Sequence, residues 1–127
     1  MLSPDLVGRT FKGADSTLVT AEAISKFAAV IGESNLDVAP PTFSISITLE
    51  QSQKLLQVSG LDWTRVVHGE QNFEIKRPIV AGDNLICSST IESARIMAGN
   101  EIVTVRSDLH AGTELVVSTW STLVVRA

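Results

Sequence analysis

The stretch Ala39-Pro40-Pro41-Thr42-Phe43-Ser44-Ile45-Ser46-Ile47-Thr48-Leu49 constrains this chain more than any other. Two consecutive prolines end whatever precedes them and impose an extended approach. Thr42 is then placed to cap a new element, because its hydroxyl can accept from the N–H groups left free at a helix start. From Phe43 to Val58 there is neither Gly nor Pro, and Gly60 stands where a helix would stop. About four helical turns fit in that interval. Phe43, Ile45, Ile47 and Leu49 nevertheless alternate with Ser and Thr, which is strand spacing. Periodicity therefore leaves a central helix and a strand both open.

The flanking segments are clearer. Val7-Gly8-Arg9-Thr10-Phe11 reads as a turn into a short strand, extended by residues 17–19 after the turn at Gly13. Thr20 is a good N-cap, Ala23, Ile24, Phe27, Ala28, Val30 and Ile31 fall at helical spacing, and Gly32 suits the position after the last turn. A helix is expected from Ala21 to Ile31, with Glu22, Ser25 and Lys26 on its wet face. Residues 32–41 form a loop, and residues 61–69 form a second one containing Trp63 and His68. Beyond it come β-rich runs at Phe73–Lys76, Leu85–Ile91, Ile102–Leu109 and Leu115–Val125, separated by turn residues at Gly82-Asp83, Gly99-Asn100 and Ala111-Gly112. They predict a meander of about four antiparallel strands, with His110 at a hairpin turn. Helices first and strands later read as α+β, with helix packed on one face of a curled antiparallel sheet.

Composition narrows the function classes. A chain of 127 residues can bury its own core, and residues 1–127 are expected to form one domain. The net charge is −4 and the basic residues are scattered, which argues against nucleic acid and against an anionic membrane surface. No apolar run of about 20 residues suggests a membrane span. Residues 1–5 lack the basic and apolar regions of a signal peptide. Cys87 is the only cysteine, so neither a disulfide framework nor a multi-cysteine metal site is expected. These features favour the cytoplasm. Cys87, within Leu85-Ile86-Cys87, reads as a buried small hydrophobe.

Three polar constellations remain. Gly32-Glu33-Ser34-Asn35-Leu36-Asp37 puts two carboxylates into one loop, where they could do acid–base work if buried, or could simply be solvated turn residues. In Val66-Val67-His68-Gly69-Glu70-Gln71 the His–Gly pair would let backbone approach a ligand while His68 donates to a carbonyl or acts as a base; a loop histidine bonded to backbone is the plainer reading. Arg77-Pro78-Ile79-Val80-Ala81-Gly82-Asp83 reads as architecture: Pro78 ends a strand or marks an edge, and Gly82-Asp83 makes the turn. Trp63 and Trp120 have no basic groove beside them and read as packing or interface residues.

In this order along the chain, these pieces resemble the MaoC-like dehydratases, a hot-dog-fold family that includes (R)-specific enoyl-thioester hydratases. The resemblance is greatest to the N-terminal, dehydratase-subunit branch of actinobacterial fatty-acid elongation. It rests on Val7-Gly8-Arg9-Thr10, the helix into Gly32-Glu33-Ser34-Asn35, Val38-Ala39-Pro40-Pro41-Thr42-Phe43, His68-Gly69-Glu70-Gln71-Asn72-Phe73-Glu74, Arg77-Pro78-Ile79-Val80-Ala81-Gly82-Asp83 and Ser121-Thr122-Leu123-Val124-Val125-Arg126. It implies a single hot-dog domain, a curved antiparallel sheet wrapped around a long central helix. That helix would be capped at Thr42 and run toward Gln57, with Ser44 and Ser46 as small residues under a closely wrapped sheet. Two such units would pair, as a homodimer or with a second hot-dog subunit, because the sheet edge and the two-faced last strand need cover.

The resemblance also implies acyl thioesters of coenzyme A or acyl carrier protein as ligands, and no cofactor or metal. Family members interconvert trans-2-enoyl and (R)-3-hydroxyacyl thioesters with an Asp and a His in the motif Gly-Asp-x-Asn-Pro-(aliphatic)-His. The thioester carbonyl would dock at Pro41, Thr42 and Phe43, with His68 and Gly69 as further binding candidates. At the motif itself this chain departs from the family. Glu33 stands for the Asp, Leu36 for the Pro and Val38 for the His, and only Leu36-Asp37-Val38 separates Asn35 from Ala39, where family members carry a longer loop. The reading that follows is a non-catalytic subunit that pairs with a catalytic hydratase subunit and helps bind the acyl chain. The alternative is an active thioesterase or altered hydratase using Glu33, Asp37 or His68. Thioesterases of this fold use a carboxylate near the central helix, which brings in Glu50. The sequence leaves open whether the chain is itself an enzyme.

Overall fold

The computed structural model describes residues 2–127. The first helix, α1 (Ala21–Ile31), forms as expected: Thr20 Oγ1 accepts from the backbone N–H of Ala23 at 3.0 Å, and Gly32 closes it at φ 76°. Ile24 and Ala28 bury. Val30 and Ile31 continue the apolar spacing but stay exposed, because the helix meets the core over only part of its length.

The ambiguous stretch is helical. A 3-10 turn, Pro41–Ser44, runs into α2 (Ile45–Val58). Thr42 lies inside that turn and makes no side-chain cap, contrary to expectation; the turn's own backbone bonds lead into the helix instead. The alternation of Ser and Thr has a helical explanation. Ser44, Thr48 and Ser52 recur every four residues, share one face and are buried against the sheet. Ser46 points elsewhere: its Oγ donates to the Phe43 carbonyl at 2.7 Å and it lines the cleft described below.

The sheet consists of β1 (Thr10–Lys12), β2 (Thr17–Leu18), β3 (Val66–Ile75), β4 (Asn84–Met97), β5 (Asn100–Ala111) and β6 (Glu114–Val125). All pairs are antiparallel, in the order β1-β4-β5-β6-β3, with β2 also on β4. Only β4–β5–β6 is a meander. β3 does not adjoin β4 but crosses to the far side of β6, which corrects the expected four-strand order. Consequently β6 is interior, which accounts for apolar residues on both its faces; one edge of the sheet is β3, and the short β1 and β2 form the other. Residues expected in the second loop also move: Trp63–Arg65 is a short 3-10 turn, and His68 lies on β3 opposite Leu123. His110 is on β5, just before the tight turn.

One in-register row crosses the sheet under α2: Ser89, Ser107 and Thr119, all buried. Ser89 Oγ and Ser107 Oγ lie 3.0 Å apart, and Ser52 Oγ is 3.5 Å from Ser107 Oγ. This row separates two apolar clusters. One contains Phe43, Leu85, Cys87, Leu109 and Val117; the other contains Leu56, Ile91, Val103, Val105 and Leu123.

The connection from β3 to β4 is clamped by the Arg-Pro…Gly-Asp segment. Arg77 Nη1 and Nη2 bond the two Asp83 oxygens at 2.9 and 3.0 Å, and Asp83 Oδ2 also accepts from the Val80 N–H at 2.9 Å. The Arg77 hydrogen bonds hold the Asp83 carboxyl below its ordinary value of 3.8. A lowered folded-state pKa stabilises the fold above that value, and the contribution is lost as pH falls through the folded pKa. Asp83→Asn is therefore expected to cost about 1–2 kcal/mol near neutral pH, since bonds to charged groups are worth about that much. It should also flatten the fall in melting temperature below about pH 4, as measured by thermal unfolding across pH. Wild-type and variant curves running parallel through the acid range would refute the assignment.

Candidate functional site

α1, α2 and the β1–β2 segment together line one cavity. Between them lies a cleft of about 980 Å³. Ala23, Phe27 and Val30 face it from α1, and Phe43, Ile47, Leu55 and Val58 from α2. Its inner wall includes Val19, Leu85 and Cys87, and Lys12, Lys26, Glu50 and Lys54 stand around it. Two of these lysines are already paired, Lys26 with Glu22 and Lys54 with Glu50, each at 3.0 Å. Leu18, Val30 and Val58 on the lining are 62%, 86% and 84% exposed, which is unusual for aliphatic side chains gathered at one opening. The cleft follows α2 over nearly its whole length of about 20 Å. Such size and apolar character suit a long apolar ligand rather than a compact polar one.

Phe43 shapes the end of the cleft nearest the start of α2. Its ring meets Phe27 edge-on, with centroids 5.5 Å apart. Pro41 faces a second, smaller cavity of about 140 Å³ with Val38, Ala39, Pro40, Ile75, Pro78, Ile79 and Val117. Thr42 is exposed and borders neither cavity. Cys87 is 3% exposed, and burial pushes its thiol pKa up, so it is a wall residue and a poor nucleophile.

The acid–base candidates are placed differently. Glu33 and Asp37 are exposed in the segment after α1. Glu33 Oε1 accepts from the Asn35 N–H, and Asn35 Oδ1 accepts from the Asp37 N–H, each at 3.0 Å. These side chains brace the turn's own backbone, as Asn and Asp commonly do. His68 is exposed on β3, and Gly69 occupies a bulge where the β3–β6 register shifts between His68 and Glu70. A Cβ on Gly69 would come within 3.3 Å of the Thr122 carbonyl oxygen. None of Glu33, Asp37, His68 and Gly69 lines either cavity. Among the described residues no three His, Cys, Asp or Glu side chains are grouped as a metal site requires, and no helix is long and apolar enough to cross a membrane. The cleft was not legible in the sequence, because its walls come from three segments far apart in the chain.

Residues 5–119 match the family described as FAS1-like, dehydratase domain region. The chain belongs to that family. A UPF0336 protein of Streptomyces coelicolor is 39% identical, over 99% of this chain and 96% of its own length. The aligned span of 145 positions is longer than the 127 residues here, so that relative carries residues this chain lacks. Among solved structures, the chain resembles the C-terminally truncated HadBC (3R-hydroxyacyl-ACP dehydratase) complex of Mycobacterium tuberculosis. Identity there is 26%, the TM-score is 0.81, and 97% of this chain and 99% of that one are covered. The ChsH1–ChsH2 complex of the same organism shares the fold, with a TM-score of 0.65 at 16% identity, over 93% of this chain and 87% of that one. The architecture is thus the MaoC-like hot-dog fold, with α2 as its central helix.

Truncating Phe43 removes the shared edge-on pair and opens the cleft end. Phe43→Ala is expected to cost about 3–5 kcal/mol in denaturant unfolding, whereas Glu33→Ala and Asp37→Ala should stay within about 0.5 kcal/mol of wild type. A comparable loss in either carboxylate variant would contradict the exposed placement of that loop.

Proposed function

We propose that the chain is a non-catalytic MaoC-like subunit that pairs with a catalytic hydratase subunit and lends its α1–α2 cleft to the acyl chain of a coenzyme A or acyl-carrier-protein thioester. One observation carries this reading: the apolar cleft along the central helix is intact, while in the segment that bears the family's Asp and His the Glu33 carboxylate accepts from its own loop's backbone, Asp37 is exposed outside both cavities, and Val38 stands in the histidine position. Without a positioned base and a proton shuttle, each hydration step would be slower by orders of magnitude. The partner would supply both. Water would add across the 2,3 double bond, with hydroxyl to C3 and a proton to C2, in the partner's site. The thioester carbonyl would sit toward Pro41, Thr42 and Phe43, with the tail directed along α2 toward Val58. Solved HadBC, itself a complex, supports a hot-dog partner.

The open edge of β3 supplies the pairing surface. It is bonded only to β6, and Val67 and Ile75 on it are 45% and 41% exposed. A bare strand edge of ten residues is an invitation to pair with another chain.

A competing enzyme reading draws on Glu50, which lines the cleft as a thioesterase carboxylate would, although Lys54 holds it at 3.0 Å. The deciding assay measures enoyl-thioester hydration and free-thiol release by the pure chain, and by the chain co-expressed with a hot-dog subunit bearing an intact Asp-x-Asn-Pro-x-His motif. Hydration is expected only with the partner, and Glu33→Ala in this chain should leave the rate within about twofold. Hydration by the chain alone that Glu33→Ala abolishes sinks the proposal. Thiol release by the chain alone that Glu50→Ala abolishes establishes the thioesterase instead.

A further inference from the structure

The smaller cavity, of about 140 Å³, is a notch at the end of the edge strand, and every residue on its walls is apolar. Ala39, Pro40, Ile79 and Val117 are buried and form its floor. Val38 is half-buried, and Pro41, Ile75 and Pro78 are exposed at its rim. Three of these residues are prolines, whose φ is fixed. The Ala39 N–H donates to the Ile79 carbonyl at 2.7 Å and so ties two wall segments together. The Arg77 guanidinium donates to the Pro78 carbonyl at 3.0 Å, which joins the second of them to the clamp with Asp83. The notch is therefore preformed.

Its size and chemistry limit what can fill it. An apolar cavity of about 150 Å³ takes a single benzene ring. The notch thus has room for one aliphatic or aromatic side chain, and its walls offer no polar side chain to a head group. Its place says where that side chain would come from. Ile75 is both the last residue of β3 and part of the notch wall. β3 is bonded only to β6, so its other side is free to take a further strand. In a strand added to a sheet edge, main-chain bonds give affinity and pockets for alternate side chains give selectivity. Gln71, Phe73 and Ile75 pair with the buried Ser121, Thr119 and Val117, so they stand on the helix side of the sheet. A strand laid along them turns every second side chain to that side, and the one beside Ile75 meets the notch.

A second copy of this chain fits poorly. In an antiparallel pairing along the full strand, the copy brings the start of its own β3 to the notch. The helix-side residues there are Val66, which packs against its own second apolar cluster, and His68, which pairs across from the buried Leu123. The first is already packed and the second is polar. We propose that the notch is the recognition pocket for a non-identical hot-dog subunit and takes one aliphatic or aromatic side chain from the partner strand that extends the sheet at β3. This rests on the pairing reading above and adds what selects the partner. Interface hot spots are of this kind, an anchor seated in a preformed pocket from which water is excluded.

The test uses the full chain and, as probe, the co-expressed hot-dog subunit with the intact Asp-x-Asn-Pro-x-His motif. The complex is measured by sedimentation velocity over a dilution series, in variants with wild-type circular dichroism. Val38→Phe fills the notch from its rim and is expected to weaken the complex about tenfold. Ala39→Val fills it from the floor and carries the test if Val38→Phe does not fold. An alanine scan along the partner's edge strand should find one apolar position whose truncation weakens the complex about tenfold with wild type and no further with Val38→Phe. Phe73→Lys charges the same edge outside the notch and should weaken the complex by itself. Loss of the complex in Phe73→Lys, with both filled variants within twofold of wild type, overturns the notch and leaves the pairing reading standing. No complex with wild type, or one that Phe73→Lys leaves within twofold, overturns the pairing reading and the notch with it. A wild-type homodimer as tight as the complex, and equally weakened by Val38→Phe, overturns selection of a non-identical chain. An unmoved complex with weakened octanoyl-coenzyme A binding in Val38→Phe assigns the notch to the ligand and overturns the proposal.

Discussion

The central helix rests on its sheet through hydroxyl groups, and much of the molecule follows from that contact. Ser44, Thr48 and Ser52 are buried on one face of the helix and Ser89, Ser107 and Thr119 are buried in the sheet, with Ser52 Oγ 3.5 Å from Ser107 Oγ. Small residues let the helix approach closely. Each hydroxyl also carries the cost of being taken out of water, offset where it bonds a neighbour, as Ser52 does to the Thr48 carbonyl at 2.9 Å. Aliphatic packing is displaced to either side, into the two clusters around Leu109 and around Val105. Of the apolar side chains of α2, Ile47 and Val58 line the cleft, while Leu56 joins the second cluster.

The same contact explains why the opening segment resisted a sequence reading. Hydroxyl residues at every fourth position on a helix, set between Ile45, Ile47 and Leu49, imitate the alternation of a half-exposed strand. Periodicity scores polarity as exposure, and in α2 the hydroxyl residues Thr48 and Ser52 are buried. The resemblance to a known family resolved this, and the structure agrees with it. By contrast α1 was legible from its residues alone, because Thr20 and Gly32 mark its ends through purely local chemistry. Where the reading failed, the cause was long-range. Nothing near Val66–Ile75 says that this strand will cross to the far side of β6, and the segments around Val38 and Pro78 meet only after folding. Buried Cys87 and the architectural role of the Arg77–Asp83 segment were legible because apolar neighbours and a turn sequence are local signals, whereas the pairing of Arg77 with Asp83 emerges only in the structure.

The candidate site divides the same way. Its conspicuous polar residues, Glu33, Asp37 and His68, are the ones placed outside the cavities: Glu33 and Asp37 in an exposed loop, where polar residues most often serve the loop itself, and His68 on the edge strand β3. The cleft is built from residues with no catalytic signature: Phe27, Ile47, Leu55, Val58. What those residues build is a long apolar cleft between α1 and α2.

The hydroxyl row has one more consequence. Inside–outside alternation specifies strand register only to within two residues, because a slip of two restores every side chain to its proper face. In β5 and β6 such a slip would slide Ser107 and Thr119 under aliphatic neighbours and bring Leu109 or Val105 against the helix hydroxyls. Polar groups would lose partners and apolar groups would lose contact at once. The row therefore works as a key cut into the sheet: it distinguishes the true pairing from the nearest false one, which binary patterning alone cannot do.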